Sequence, residues 1–484
     1  METPIKKFGT LNIIAAAFNI CQAWASIGAT FALSIEHGGS TTIIYGSIVI
    51  FLVYSAIALS LAELAARYPT AGGQYHWTAI LAPEPFKRQL SYTCGCINNI
   101  GWIMLSASVI IIPSQIVIGV IQFCHPLYTI KRWHIFLLYQ VLNLAGLSYN
   151  VLALQKASWT HNIGFGLSLL LFLTATITCL AISDPKQSAR NVWESFTNST
   201  DWKAPGVVFF TGLINLNYGF AGLDGAIHLA EDCSRAEGAV PWALVSAVLI
   251  SFVTTFVFIV AALYCIKDFE AVVSTSTQIP LYEIWHQATQ SKIAATILIL
   301  FLAMVLMFTL IAVQQTASRL TWALARDDAL VYSDKIKQLD KKFKVPIWAL
   351  VFNSVWGFVI GCVYLGSSTA FNAIVGPGLI LEQLSFAIPV TLLMWRNRDS
   401  KFRPKAGPFN LGTMGWLANS VTVGWAVLEL IFYNMPTELP VTSNNMNYTP
   451  AVLGGIGLFI LSNWFLYGKR HYKGPRVDLS HFPI

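Results

Sequence analysis

The sequence predicts an all-α polytopic membrane protein with twelve transmembrane helices. Three observations support this prediction. Of the 484 residues, 55% are hydrophobic and only 11% are charged, whereas a soluble globular chain carries about 25% charged residues. The mean hydropathy is +0.60. Apolar runs of about 20 residues, the length that crosses a bilayer as a helix, recur along the chain. The polar stretches between these runs are too short to form a soluble domain.

The apolar runs give the positions of the predicted spans, numbered 1 to 12 along the chain. These spans are 9–34, 43–65, 97–123, 133–150, 160–182, 206–230, 240–265, 293–316, 346–365, 370–395, 413–433 and 450–467. The predicted segments are a cytoplasmic N-terminus at 1–8, a first half of five spans at 9–182, an outer loop at 183–205, a second half at 206–395, a cytoplasmic loop at 396–412, spans 11 and 12 at 413–467, and a cytoplasmic tail at 468–484.

Positive charge fixes the predicted orientation. With the N-terminus in the cytoplasm, 23 of the 30 lysines and arginines fall in cytoplasmic segments, among them Lys6, Lys7 and Lys156. Such a bias follows the positive-inside rule. The two N-x-S/T sequons, at Asn198 and Asn447, then lie in outer loops, where they are candidate N-glycosylation sites. Both ends of the chain are therefore predicted to be cytoplasmic.

Span 1 carries small and polar residues at membrane depth. Asn19, Gln22, Ser26, Gly28 and Thr30 all lie within its middle part. Backbone that leaves the helix at this depth is tolerated only where protein packs around it or where it lines a cavity. We therefore expect span 1 to be interrupted, with the backbone amides from Ser26 to Thr30 facing a pocket.

A charged pair follows at the end of span 2. Glu63 and Arg67 are spaced i,i+4, so that their side chains can meet on one face of the helix. A pair at this position could hold an inner gate closed. The alternative is an interfacial ion pair that contributes less than about 1 kcal/mol.

Span 6 is the second interrupted span. Between Tyr218 and Gly225 it holds three glycines and Asp224. Glycine costs roughly 1 kcal/mol relative to alanine inside a helix, and an aspartate at the bilayer centre costs at least about 2.5 kcal/mol. We interpret this segment as a broken helix at a substrate site. The alternative is a glycine-rich packing face, because glycine is common in membrane helices.

The two interruptions lie five spans apart, in corresponding places of the two halves. Paired interruptions of this kind indicate a transporter binding site between repeats. Because each half holds an odd number of spans, the halves are predicted to be related by inversion, and spans 11 and 12 are an addition to this core.

Several motifs resemble a known family over nearly the whole chain. They are AELAARYPTAGGQYHW after span 2, FNICQAWASIGATFALSIEHGG in span 1, FAGLDGAIHLAED in span 6 and QQTASRLTWALARDDAL after span 8. These motifs are similar to those of the amino acid–polyamine–organocation permeases, in the fungal amino acid/choline permease group. The resemblance implies a core of two inverted five-helix repeats, secondary active transport, a plasma-membrane location, and substrates such as amino acids, GABA, polyamines or choline. Glu382 and Glu429, in spans 10 and 11, depart from the usual pattern of the group.

In folds of this type, the unwound parts of spans 1 and 6 bind the substrate. Free N–H groups favour a carboxylate, and aromatic faces favour a quaternary ammonium. The predicted substrate-binding residues are Trp24, Ser26, Ile27, Gly28, Ala29, Thr30, Trp102, Tyr218, Phe220, Ala221, Gly222 and Asp224. Asp224 is the expected counter-ion of a choline-like cation, or else the N-cap of the second half-helix. The aromatic residues could instead belong to the lipid-facing belt.

The coupling ion is predicted to be a proton, mainly from the resemblance, with sodium as the alternative. Thr309, Gln314, Gln315 and Thr316 of span 8 could supply oxygen ligands beside span 1, although threonine can also bond back to its own helix.

We expect no cofactor, no metal site and no nucleic-acid partner. The eight cysteines form no CxxC pair. Two alternatives to a transporter are a nutrient sensor on the same scaffold and a membrane-embedded enzyme. The sequence shows no cluster of residues typical of a catalytic site.

Overall fold

The computed structural model describes residues 8–153, 159–443 and 445–476. Within these ranges the secondary structure is helical, and two isolated bridges join Phe8 to Cys233 and His37 to Asn198. The predicted all-α fold is therefore confirmed. Lys6, Lys7 and Lys156, which contribute to the predicted charge bias, lie outside the described residues.

Eleven helical segments of the described chain are long and apolar enough to cross a membrane. Predicted span 6 is not among them, because its helix is interrupted. In span order, the helices are Thr10–Cys21 with Ala23–Ala29, Gly39–Arg67, Lys87–Cys124, Arg132–Leu152, Thr160–Ile182, Pro205–Tyr218 with Gly225–His228, Ala236–Cys265, Lys292–Arg326, Ile347–Gly366, Pro377–Trp395, Met414–Phe432 and Thr449–Asn463.

Short helices connect the spans. They are Phe31–Glu36, Gln74–Leu81, Ala189–Trp193, Phe269–Val273, Pro280–Thr289, Ser333–Ile336 and Ser368–Val375, with 3-10 turns at Ala230–Asp232 and Ser400–Phe402. Span 12 continues through a π-helical turn, Trp464–Gly468, into Lys469–His471.

Span 8 is longer than predicted. The helix runs to Arg326, so Arg319 and Arg326 lie within it and not in a loop after residue 316. The extension is possible because both guanidinium groups bind acidic residues: Arg319 contacts Asp232 at 3.0 Å, and Arg326 contacts Glu231 at 2.8 Å. Pairing replaces the water that these charges would otherwise need.

The spans pack in pairs that repeat with an offset of five. Span 2 packs against span 7, span 3 against span 8, and span 4 against span 9. The contact of span 1 with span 7 has its counterpart in that of span 6 with span 2. The contact of span 5 with span 8 likewise corresponds to that of span 10 with span 3. This is the packing expected of two similar five-helix halves.

Backbone hydrogen bonds join different spans at the two ends of the bundle. At the end that carries Phe8, here called the N-terminal face, the Phe8 amide donates to the Asp232 carbonyl at 3.0 Å. At the opposite face, the Gly38 amide donates to the Thr197 carbonyl at 2.8 Å, which joins the segment after span 1 to the loop before span 6. The interruptions of spans 1 and 6 lie between these two faces.

Candidate functional site

The interruption of span 1 lies at Gln22. This residue has φ 43° and ψ 43°, the left-handed conformation, and separates Thr10–Cys21 from Ala23–Ala29. Its side-chain amide donates to the Ser168 hydroxyl of span 5 at 2.7 Å, which anchors the unusual backbone. The expected free amides from Ser26 onward are not found, because Ser26 donates to the Gln22 carbonyl at 3.0 Å as part of the helix.

The predicted residues that follow in span 1 face different neighbours. Ile27 packs against the unwound part of span 6, since a Cβ atom on Gly219 would lie 2.8 Å from its side chain. Gly28 packs against span 7 through Phe258. Ala29 ends the helix, and the Thr30 hydroxyl donates back to the Ser26 carbonyl at 2.9 Å.

Span 6 unwinds between Tyr218 and Gly225. Gly222, in the middle of this segment, has φ +77°, a conformation that L side chains rarely adopt. A Cβ atom at this position would lie 2.6 Å from the Ile20 side chain and 3.3 Å from Trp102. Both the backbone angle and the close approach therefore require glycine here.

Asp224, in this unwound segment, contacts several side chains from other helices. One carboxylate oxygen, Oδ2, lies 2.6 Å from the Gln74 amide nitrogen, 2.9 Å from His228 Nε2, and 3.3 Å from both the Asn98 amide and the Trp102 indole nitrogen. The side chain is fully buried. Its other oxygen, Oδ1, has no hydrogen-bond partner among the described residues. Asp224 therefore holds three helices together and leaves one acceptor available.

Asp224 also precedes the short helix Gly225–His228. Its backbone carbonyl accepts from Ile227 at 2.8 Å, but its side chain makes no capping hydrogen bond. The predicted alternative role, side-chain capping of the second half-helix, is therefore not what this geometry provides.

Two further buried carboxyl groups contact span 6. Glu382 of span 10 accepts a hydrogen bond from the Gly222 amide at 2.6 Å. Glu429 of span 11 accepts one from the Asn217 side chain at 2.8 Å, one residue before the helix ends. Both side chains are buried. Acidic groups thus surround the interruption from three directions.

Aromatic side chains line the same region. The Tyr218 hydroxyl shares a hydrogen bond of 2.9 Å with Ser108 of span 3, and the Phe220 ring lies 5.1 Å from that of Tyr54. The Trp102 ring makes an edge contact with His228 at 5.8 Å. Ala221, which lies between Phe220 and Gly222 in the sequence, is buried as well.

Trp24 contacts spans 5 and 7. Its indole N–H donates to Ser168 of span 5 at 3.0 Å, and its ring packs 5.3 Å from Phe258 of span 7. Of the four predicted aromatic residues, Trp102 therefore contacts Asp224, Tyr218 and Phe220 belong to or border the unwound segment of span 6, and Trp24 packs between spans 5 and 7.

Glu63 has a partner other than the predicted one. Its carboxylate accepts from Arg398, in the loop after span 10, at 2.8 and 2.9 Å, and both side chains are buried. Arg67 instead donates to the Lys401 carbonyl at 3.5 Å and lies over the Tyr68 ring. The pair with Arg398 ties span 2 to the loop between spans 10 and 11 at the N-terminal face.

A second group of ion pairs lies at the same face. Arg326 binds both oxygens of Glu231, and His76 lies 3.1 Å from Asp327. Burial alone raises the pKa of Glu231, but the Arg326 guanidinium outweighs burial and holds that pKa below its ordinary value. These contacts join the loop after span 2, the end of span 6 and the end of span 8.

The polar residues of span 8 bind protein partners. Gln315 lies 2.9 Å from His161 Nε2, and Gln314 donates to the Asn143 side chain at 3.1 Å. The Thr316 hydroxyl donates back to the Ala312 carbonyl at 2.9 Å. Thr309 Oγ1 is buried, with no hydrogen-bond partner among the described residues.

The two sequons differ in exposure. Asn198 is exposed, whereas the side-chain amide of Asn447 donates to the carbonyls of Tyr433 and Met435 at 2.8 and 2.9 Å.

Sequence reasoning did not select Gln74 and Asn98 as site residues. Gln74 belongs to the Gly-Gly-Gln turn after span 2, and Asn98 is a polar residue within span 3. For Asn98, a polar amide inside a predicted span was the available signal, whereas no such signal marks Gln74.

Comparison with known proteins places these features in context. Residues 8–458 match the family described as "Amino acid permease". The chain is 35% identical over 472 residues to a "Choline transporter" of Saccharomyces cerevisiae, which covers 96% of this chain and 82% of that protein. It is 31% identical over 447 residues to a "Putative amino acid/polyamine transporter" of Macrophomina phaseolina, with 91% and 97% covered. It is also 31% identical over 479 residues to a "Swainsonine transporter" of Arthroderma benhamiae, with 96% and 92% covered.

Proposed function

Since this chain belongs to the amino acid permease family and is a membrane transporter, not an enzyme, we propose that it carries a small organic cation, with a choline-like quaternary ammonium as the favoured substrate. Transport proceeds by alternating access and is coupled to protons. The substrate binds at the unwound segment of span 6, against Trp102, Tyr218, Phe220, Ala221, Gly222 and Asp224.

One contact carries this proposal. In transporters with unwound helices, free backbone amides are the groups that bind a substrate carboxylate. Here the amide of Gly222 already donates to Glu382 at 2.6 Å. The carboxyl group of the protein thus occupies the place that an amino acid carboxylate would take. A substrate without a carboxylate fits this arrangement better.

The remaining groups of the site favour positive charge. Asp224 Oδ1 is an available acceptor, and aromatic faces attract quaternary ammonium groups, each by about 0.5–2 kcal/mol when desolvated. The relative from Saccharomyces cerevisiae is named for choline, which is such a cation. A polyamine is also cationic, and another relative is named for amino acids and polyamines.

The interruptions of spans 1 and 6 provide the moving parts. In the proposed cycle, the two five-span halves rock about the bound substrate. The pairs Glu63–Arg398 and Glu231–Arg326 close the N-terminal face in this conformation, and we place that face in the cytoplasm of a plasma-membrane protein. They must separate for release on that side. Asn198, exposed at the opposite face, is the better glycosylation acceptor of the two sequons.

Uptake of labelled choline by a permease-deficient host, and by vesicles prepared from it, tests the proposal. Asp224→Asn and Gly222→Leu should abolish uptake while the protein remains at the membrane. Glu270→Gln, which changes an exposed carboxylate in a loop helix, is the matched control and should leave uptake unchanged. Unchanged uptake in both site variants would contradict the proposed pocket.

Competition with betaine, GABA, polyamines and amino acids identifies the substrate class. Stronger competition by amino acids than by choline would overturn the cationic substrate. Binding of choline without any flux into vesicles would instead indicate a sensor on the transporter scaffold.

A further inference from the structure

Glu429 is a buried carboxyl group outside the ten spans of the two halves. It lies on span 11 and is 1% exposed. Its Oε1 accepts a hydrogen bond from the Asn217 side chain at 2.8 Å. Its Oε2 has no hydrogen-bond partner among the described residues. The substrate site proposed above does not use this group.

The groups that face Glu429 come from every helix packed against span 11, which are spans 2, 6 and 10. Tyr54 comes from span 2, Asn217 from span 6 and Glu382 from span 10, while Tyr433 lies one turn further along span 11. The ionisable groups of Tyr54, Glu382 and Tyr433 lie close enough to Glu429 for a negative charge on it to act on them. Each of these groups is neutral or acidic.

No lysine, arginine or histidine pairs with Glu429 in the part of the chain that the structure describes. The other two carboxyl groups near span 6 differ in this respect. Asp224 lies 2.9 Å from His228 and has three further nitrogen contacts, and Glu382 accepts from a backbone amide. Glu429 has only neutral groups beside it, the Asn217 amide and the Trp425 indole.

A fully buried carboxylate without a cation is strongly disfavoured, so the group must be neutralised. Resting on the transport function proposed above, we propose that Glu429 is the binding site of the coupling proton. A proton from water on one side of the membrane adds to the carboxylate at Oε2 and gives a neutral carboxylic acid. In the other conformation the acid returns that proton to water on the opposite side.

The bond to Asn217 connects this proton to the substrate. Asn217 lies at the end of the first half-helix of span 6, directly before the unwound segment Gly219–Asp224. An N–H donor binds an ionised carboxylate more strongly than a neutral acid. Loss of the proton therefore tightens the hold of span 11 on span 6, and protonation loosens it. The charge on Glu429 thus biases the position of the segment that binds the substrate.

Proteoliposomes that hold the purified full-length chain test this inference with labelled choline as the probe. Exchange of external for internal choline without a pH gradient measures substrate binding and movement. Accumulation of choline under an imposed pH gradient measures coupling. Glu429→Gln keeps the shape of the side chain and an acceptor for Asn217 but cannot exchange a proton.

Glu429→Gln should retain exchange within about twofold of the wild type and lose accumulation driven by the gradient. Glu270→Gln should retain both activities. Gradient-driven accumulation by Glu429→Gln would overturn the inference. Exchange without any response to the gradient in the wild type would overturn it as well, but would leave the proposed substrate standing. Absence of choline exchange in the wild type would count against the proposed function itself.

Infrared difference spectroscopy of the purified protein supplies a readout that needs no substrate. A protonated carboxyl group has a carbonyl stretching band separate from that of a carboxylate. We expect the wild type at neutral pH to show this band and Glu429→Gln to lose one component of it. An unchanged band in Glu429→Gln would show that Glu429 does not hold a proton and would overturn the inference.

Discussion

The backbone amide of Gly222 and the side-chain carboxyl group of Glu382 are joined by a hydrogen bond of 2.6 Å. The two residues lie on different spans, 160 positions apart in sequence. The contact fills, from within the protein, a position that suits a carboxylate ligand. Under the proposed function, Glu382 should therefore influence which substrates the site accepts.

Replacement of Glu382 should change the discrimination between choline and betaine, which share a trimethylammonium group and differ by a carboxylate. Glu382→Ala frees the Gly222 amide, and betaine should then compete with choline about 10- to 100-fold better, the equivalent of one charged hydrogen bond of about 1.5–3 kcal/mol. Competition assays of choline uptake measure this change. Glu382→Gln keeps an acceptor at the amide and should retain the discrimination, and equal betaine competition in both variants would refute the assignment.

Gly222→Ala should reduce transport at least about tenfold. The left-handed backbone alone costs a non-glycine residue roughly 1–2 kcal/mol, and the new methyl group would meet Ile20 at 2.6 Å. Gly424→Ala in span 11 is the matched control, because a Cβ atom there meets nothing within 4 Å. That variant should transport normally. Uptake corrected for the amount of protein at the membrane distinguishes the two, and equal activity would contradict the strained turn.

Arg398→Ala should destabilise the protein by about 3–5 kcal/mol, because it leaves the buried carboxylate of Glu63 without its cation. Thermal unfolding in detergent should show a clear fall in apparent Tm. Arg190→Ala removes an exposed partner of Glu194 and should cost no more than about 1 kcal/mol. The double variant Glu63→Gln with Arg398→Gln should recover part of the lost stability. An Arg398→Ala variant as stable as the wild type would refute the buried ion pair between Glu63 and Arg398.

Acidification should weaken the N-terminal face through Glu231. Its folded pKa lies below the ordinary value of 4.5. The ion pair with Arg326 therefore contributes its full stability above about pH 4.5, and this contribution is lost as the pH falls through the folded pKa. Melting temperatures between about pH 7 and about pH 3 should fall more steeply for the wild type than for Glu231→Gln. Parallel curves for the two proteins would contradict this.

The general architecture could be predicted from the sequence because hydrophobic length and charge bias are local properties. The interruption of span 6 was predicted within a few residues, since glycines and an aspartate at membrane depth are costly in a continuous helix. The interruption of span 1 lies at Gln22, within the predicted polar stretch and four residues before the amides that were expected to face a pocket. Its cause is the anchoring of Gln22 on Ser168, a contact between distant parts of the chain.

Contacts between residues that are distant in sequence could not be predicted in the same way. The i,i+4 spacing of Glu63 and Arg67 suggested a local pair, but the guanidinium that binds Glu63 comes from Arg398, 335 residues away. Likewise, the sequence places Trp24 close to the interruption of span 1, and only the rotation of the helix turns it toward Phe258. Tertiary packing determines how a helix is rotated and where a distant loop makes contact. Composition and residue spacing carry no information on either.

Both ends of the described chain are fastened to different pieces of the N-terminal face. Phe8 is bonded to the strand-like turn after span 6 through Asp232 and Ser234, and the Arg476 amide donates to Asp327 after span 8 at 3.0 Å. A donor and an acceptor dye attached beside these two positions would therefore report the opening of that side as a change in energy transfer. The distance between these two positions could thus follow the proposed transport cycle without a label in the substrate site.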